Sequence, residues 1–400
     1  MNLKADVVVV GSGPAGGYAA KVLAESGVNV LVLDKRQELG TPKRCAEGVS
    51  KIGFKELGIQ FHPAWAANEI TGSQLYSPNG RMVDLSDQGD LTAGYIIERK
   101  IFEKFLAKSA IDAGARYMVK TLVDNLLIED DRIVGVEAEY MGQRIKIESK
   151  IVIAADGVDS MTAKMAGIDT VNKISDYHSG FQYEMCGVKI RQDVISLYLG
   201  RNIAPKGYAW IFPKGGGRAN VGIGITSQRG DNKTTKKYLD EFISQHPEIF
   251  EDAHPIEVNA GGIPVSSGVE AYVKDGFMVV GDAAQHVNPL HGGGIETAML
   301  GGKIAAEIAS KALDEGDTTK ERLREYEEIC RKKFGDKLGK IYKIRLLFEK
   351  LEDEEFNVLA EHINGADVLK IANGELKPML KLLSKPGEIG GVVKKLMQKK

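Results

Sequence analysis

The sequence predicts an α/β fold: a Rossmann-like dinucleotide-binding domain, an inserted antiparallel-sheet domain and a C-terminal helical region. Three observations carry that expectation. An apolar run, Val7 to Val10, leads straight into Gly11-x-Gly13-x-x-Gly16 and a helix-forming stretch. A second apolar strand, from Phe277, ends at Gly281-Asp282 before another glycine-rich turn and helix. Between them, Tyr208, Trp210 and Phe212 alternate in "PKGYAWIFPKG", the period of a strand with one aromatic face.

At 400 residues the chain is long enough for more than one core. With 43% hydrophobic and 27% charged residues it has the balance of an ordered globular protein. Its net charge of −2 gives no basic field, so nucleic acid is not an expected partner. No apolar run approaches the ~18–20 residues of a membrane span. "MNLKAD" passes into "VVVV" without a signal-peptide pattern, so the expected location is cytoplasmic. The three cysteines (Cys45, Cys186 and Cys330) show no C-x-x-C spacing. No two histidines flank an acid at i, i+4. No metal is expected.

The first unit reads strand, turn, helix, strand. Gly11 permits the tight turn, Gly13 lets backbone approach a pyrophosphate, and Gly16 lets the helix pack closely on the strand. The N–H groups opening the helix would hold phosphates. Asp34, closing the next strand, is expected to accept from ribose hydroxyls. So far NAD and FAD fit equally. The second stretch decides for FAD. Asp282 is placed for a ribityl hydroxyl, and the Pro289-x-x-Gly-Gly-Gly turn brings amides and a helix end to a flavin ring that becomes anionic on reduction. A third strand, in "KIVIAADGVDSMTAK", ends at Asp156-Gly157.

Three such strands in this order resemble the FAD-dependent family typified by p-hydroxybenzoate hydroxylase. The resemblance implies a Rossmann-like (GR2-type) FAD-binding domain from residues 1–60, 98–170 and 272–316. An antiparallel-sheet substrate domain would take 61–97 and 171–271, and a helical region 317–400. The family's hydroxylases usually carry D-G-x-x-S-x-x-R. Here Asp156, Gly157 and Ser160 are followed by Ala163, without the arginine that serves NADPH. "KRCAEGVS" and "PKGYAWIFPKGGGRANVGIG" resemble the R-C-G-E-G and P-x-x-Y-x-W-x-F-P-K-x-x-x-x-x-V-G-I-G segments of archaeal geranylgeranyl reductases, with Ala46 replacing a glycine. That resemblance implies further FAD contacts from Ala15, Arg44, Cys45, Ala46, Gly48, Arg99, Val123, Gly293, Gly294 and Ile295. It also implies an isoprenoid lipid substrate of archaeal membranes, with reduced ferredoxin or another low-potential donor supplying electrons.

Reducing an isolated alkene takes a hydride and a proton. Cys45 is the expected proton donor, since a thiol of pKa ~8.5 stays protonated at neutral pH. Glu47 and His291 are the alternatives. Tyr208, Trp210, Phe212 and His291 are expected from the resemblance to line the substrate cavity, although alternation alone favours plain core. The segment from Lys377 to Lys400 sets seven lysines against Glu388. That pattern suits peripheral membrane contact or a solvated terminal helix. Competing functions are an FAD monooxygenase or halogenase on a small hydrophobic substrate, and a non-catalytic redox sensor or lipid carrier.

Overall fold

The computed structural model describes residues 2–226, 233–383 and 390–391. Most lysines of the basic tail therefore lie outside the described residues. At the centre is a six-stranded sheet in the order Val273–Lys274, Phe277–Val279, Ile151–Ala154, Val7–Val10, Val30–Leu33, Arg116–Met118. Its middle strands run parallel and are buried along their whole length, which is why they read as unbroken Val, Ile, Leu and Ala. Helices Pro14–Glu25 and Ile295–Glu315 pack with these strands in one core. An antiparallel sheet absent from the sequence reading joins that core: Thr121–Glu129, Arg132–Tyr140 and Gln143–Glu148, with Asn2–Lys4 added parallel at its edge.

Glycine sets how closely the nucleotide-side elements meet. A Cβ on Gly16 would stand 2.0 Å from the Gly11 carbonyl oxygen, and one on Gly302 would stand 2.4 Å from that of Ala15. No side chain fits at either crossing. The two helices therefore converge near Gly281, whose own Cβ would meet the Ala15 methyl at 2.8 Å.

A seven-stranded sheet holds the aromatic strand, in the order His254–Pro264, Tyr177–Cys186, Arg218–Ile225, Tyr208–Gly215, Val194–Tyr198, Gly72–Tyr76, Met82–Asp84. Register sorts its two faces. Tyr208, Trp210 and Phe212 lie opposite Gly224, Gly222 and Asn220, which in turn pair with Gly180, Gln182 and Glu184. The odd-numbered neighbours Phe181, Tyr183, Ile211, Val221 and Ile223 belong to a separate core capped by Leu239 and Phe242 of the helix Thr235–Ser244. The sheet's own core is on the other side from the aromatic stripe. Gly48–Ser50, Gly94–Ile97 and Ala66–Ile70 form a three-stranded sheet that straddles the boundary expected near residue 60.

Past Gly316 the described residues are mainly helical, as expected. Lys320–Cys330 runs through one π-helical turn into Asp336–Phe348, and shorter helices follow to Leu383. Ile344, Leu351, Leu359, Ile371 and Met379 give these helices a small core of their own.

Two buried histidines make stability depend on pH. Burial holds the imidazoles of His178 and His286 neutral down to about 4 and about 3. Folded values below the unfolded ~6.5 mean that the unfolded chain takes up these protons first as pH falls. The folded state therefore loses ground below about pH 6.5, by up to ~1.4 kcal/mol per pH unit for each histidine, until roughly pH 4. His286 sits between the rings of Tyr272 and Phe334, at 5.1 and 4.8 Å. His286→Phe is expected to shrink the fall in Tm between pH 7 and 5. An unchanged fall would contradict this assignment.

Candidate active site

The first helix begins at Gly13 with no side-chain cap, and a Cβ on Gly13 would meet nothing within 4 Å. Open space beside uncapped N–H groups suits a pyrophosphate. Gly294 caps Ile295–Glu315 in the same way, again without a side chain. Between these two ends lies Asp282, whose carboxylate has no hydrogen-bond partner among the described residues. Burial pushes its pKa up while Arg99 pulls against that shift. A desolvated carboxylate without a donor fits a waiting ribityl hydroxyl. The chain's own residues thus fit FAD.

Asp34 has partners within the chain. Its Oδ2 accepts from Ser12 N (2.8 Å) and Arg36 Nη2 (2.7 Å), and its Oδ1 from Arg36 N and Nε (both 2.9 Å). These four bonds fill the carboxylate's acceptor capacity. A ribose hydroxyl would have to displace Arg36. That arginine also donates to Glu103 Oε2 at 3.0 Å, and Glu103 Oε1 accepts from Arg99 Nε at 2.7 Å. The sequence reading missed Arg36, although it stands two residues beyond the acid. Val123 lies buried on the antiparallel sheet, next to an irregularity in its pairing.

The loop of residues 43–48 reaches the aromatic face. Phe212 packs on Gly48, where a Cβ would lie 2.9 Å from the ring. Trp210 is buried over Gly222 and donates its indole N–H to Gln182 Oε1 at 2.9 Å; Gln182 Nε2 donates to the Cys45 carbonyl at 3.1 Å. Tyr208 donates its hydroxyl to the carbonyl of His291. His291 itself caps the glycine turn: its Nδ1 accepts from Gly293 N at 3.1 Å. Arg44 is exposed, its stem against Gly261, and its carbonyl receives Arg99 Nη1 at 3.4 Å. The structure thus gathers the three aromatics, Cys45, Arg99 and the glycine turn in one place.

Cys45 Sγ accepts from Glu47 N at 3.1 Å. Burial pushes the thiol up, against the opposing pull of Arg99, so it rests protonated.

Glu47 is not the solvated loop acid that its sequence context suggests. Its side chain is 0% exposed and shares a buried ionic cluster with Lys43, Glu184 and Lys214. Lys214 Nζ lies 2.8 Å from Glu47, 2.8 Å from Glu98 and 3.1 Å from Glu184. Lys43 Nζ lies 2.6 Å from Glu184, whose two lysine partners outweigh burial and keep it ionised. The carboxylates of Glu47, Glu98 and Glu184 come together as metal ligands would, but Lys214 already supplies their cation. Parity could have found Lys214: it continues the series 208, 210, 212 on the aromatic face.

Comparison with known proteins shows the family. The model of the FAD-dependent oxidoreductase family matches residues 6–173, and that of the geranylgeranyl reductase catalytic domain matches 176–263. A digeranylgeranylglycerophospholipid reductase of Methanothermobacter thermautotrophicus is 44% identical across 96% of this chain and 97% of its own. Another, of Methanopyrus kandleri, is 39% identical across 98% and 99%. The crystal structure of a geranylgeranyl bacteriochlorophyll reductase-like protein from Thermoplasma acidophilum superposes with a TM-score of 0.89 at 33% identity, covering 99% of this chain and all of that one. The flavin-dependent brominase Bmp2, at 16% identity and a TM-score of 0.75, shares the fold alone. The chain is an FAD-binding oxidoreductase and belongs to the digeranylgeranylglycerophospholipid reductase family.

Proposed function

We propose that this protein saturates the C=C bonds of geranylgeranyl chains on archaeal-type glycerophospholipids. The observation that carries the reading is the direction of the aromatic stripe. Tyr208, Trp210 and Phe212 point toward the Cys45 loop and the glycine turn, away from their sheet's own core. An isoprenoid chain needs such a wall, because each exposed CH₂ costs ~0.8 kcal/mol in water. Residues 61–97 and 171–271 would serve as the substrate domain, against an FAD-binding remainder.

When bound in its reduced form, FAD would supply the hydride for one alkene carbon. The other carbon takes its proton from Cys45, leaving a thiolate. That thiolate forms where the Glu47 N–H already points at Sγ and where Arg99 favours negative charge. Glu47 suits the donor role less well, because two lysines hold its carboxylate. His291 suits it less well because its ring is committed to the turn.

Ala163 is fully buried in the nucleotide-side core, and Asp156 accepts from Ser160 Oγ (2.6 Å) and Thr162 N (3.0 Å). This supports a low-potential donor such as reduced ferredoxin rather than a nicotinamide. Flavin reduction by NADPH is expected to be slow beside reduction by ferredoxin or dithionite. Stopped-flow absorbance would contradict this with fast reduction that saturates at micromolar NADPH.

Among the described residues no helix is long and apolar enough to cross a membrane. The protein would meet its substrate peripherally, from the cytoplasmic face. The deciding experiment is anaerobic. Dithionite-reduced protein mixed with digeranylgeranylglycerophospholipid should regain its oxidised flavin spectrum while the lipid gains two hydrogens per turnover. Flavin that stays reduced with lipid, yet turns over with oxygen and an aromatic substrate, would favour the monooxygenase or halogenase alternative. Flavin inert to both would favour a sensor or carrier.

A further inference from the structure

Cys45 is aimed by a residue that is itself under strain. Glu47 sits at φ +73, a left-handed conformation unfavourable for a residue with a Cβ. In that conformation its N–H reaches Cys45 Sγ. Its carboxylate is gripped from several directions. Oε1 accepts from Arg99 N at 2.8 Å; Oε2 accepts from Lys214 Nζ at 2.8 Å, Asn220 Nδ2 at 2.9 Å and Lys43 Nζ at 3.1 Å. Lys214 and Asn220 come from neighbouring strands of the substrate sheet, and Lys214 lies at an irregularity where strand pairing skips it. A strained backbone persists only where its surroundings over-determine it, and these donors do so.

We propose that Lys214 is a positioning residue for Cys45: by clamping the Glu47 carboxylate, it holds the Glu47 N–H on the thiol sulfur and couples the aromatic strand to the proton donor. This rests on the reading of Cys45 as that donor. The clamp adds two things to the site. It fixes the thiol's direction toward the alkene, and it keeps a hydrogen bond in place for the thiolate that protonation of the substrate leaves behind. Asn220 acts in the same way without a charge, because its amide also donates to the Ala46 carbonyl at 3.0 Å and so holds the backbone just before Glu47 as well as its carboxylate.

The test follows alkylation of Cys45 by iodoacetamide against pH in the FAD-loaded protein, peptide by peptide so that Cys186 and Cys330 are read separately. The charged groups acting on the thiol are Arg99 and Glu47, with Asp282 beyond Arg99 and the two lysines beyond Glu47. Lys214→Met removes one positive charge and frees the N–H, and both changes disfavour the thiolate. The midpoint is expected to rise by about one pH unit, with kcat for lipid falling at unchanged KM. Arg218→Met is the control. Arg218 bonds Glu98 and Glu184 in the same cluster but makes no bond to Glu47, so both readouts should stay put. A wild-type midpoint in folded, FAD-replete Lys214→Met protein would overturn the proposal, as would equal displacement by Arg218→Met. Should Lys214→Met fail to fold, Asn220→Leu removes two loop bonds without removing a charge. It must raise the midpoint too, and a wild-type midpoint there would equally overturn the clamp. Cys45→Ser separates the two claims. If it leaves turnover intact while Lys214→Met moves the midpoint, the clamp stands and the proton-donor reading falls. If it slows turnover while the midpoint stays fixed, the clamp falls alone.

Discussion

A Cys45→Ser protein is expected to keep its FAD and to lose about two orders of magnitude in the rate at which lipid reoxidises its reduced flavin. The substitution is nearly isosteric, so the Glu47 N–H still finds an acceptor, and the Cys45 carbonyl still receives Gln182. What changes is acidity. A serine hydroxyl is a far weaker acid than a thiol, and burial raises it further. Stopped-flow absorbance under anaerobic conditions measures the step directly, with flavin content and KM for lipid as controls. Because the thiol donates in the chemical step, kcat should fall with KM unchanged. Wild-type reoxidation kinetics would remove Cys45 from the proton path and return attention to Glu47 and His291.

Trp210→Ala should lower kcat/KM for lipid by roughly a hundredfold, equivalent to ~3 kcal/mol of lost contact by analogy with aromatic truncations. Two causes contribute to that loss, and a second variant separates them. Truncation strips a large apolar surface from the proposed cavity wall. It also leaves Gln182 Oε1 without its indole donor, and Gln182 in turn steadies the Cys45 carbonyl. Trp210→Phe keeps most of the surface and removes only the N–H. A loss shared by both variants assigns the effect to the Gln182 tether; a loss confined to alanine assigns it to the wall. FAD content should survive in both, because the described contacts of Trp210 are with Gly222, Gln182 and its aromatic neighbours rather than the nucleotide turn. Lipid turnover at the wild-type level in stable, FAD-replete Trp210→Ala would exclude the wall.

The parts of this site legible in the sequence are those that local chemistry dictates. Gly11 and Gly16 announce themselves because only glycine tolerates the approach distances at the turn and crossing, Gly13 because it leaves the helix end open, and strict alternation put Tyr208, Trp210 and Phe212 on one face before any fold was known. What escaped depends on partners far along the chain. Glu47 reads as a loop acid until Lys214 and Asn220, some 170 residues later, are folded onto it. Asp34 shows no partner in the sequence, yet Arg36 folds back onto both of its oxygens. The added antiparallel sheet escaped for a related reason: Asn2–Lys4 pairs with Gln143–Glu148 across the whole first unit, and no local pattern encodes that pairing. A charged residue's role follows from who neutralises it, and composition is silent on that.

The most direct measurement is a crystal structure of the FAD-loaded protein with digeranylgeranylglycerophospholipid bound. The account predicts isoprenoid carbons within ~4 Å of Trp210 and Phe212, with one alkene beside Cys45 Sγ. Lipid seated on the opposite face of the sheet, toward Leu239 and Phe242, with Trp210 enclosed by protein alone, would contradict it.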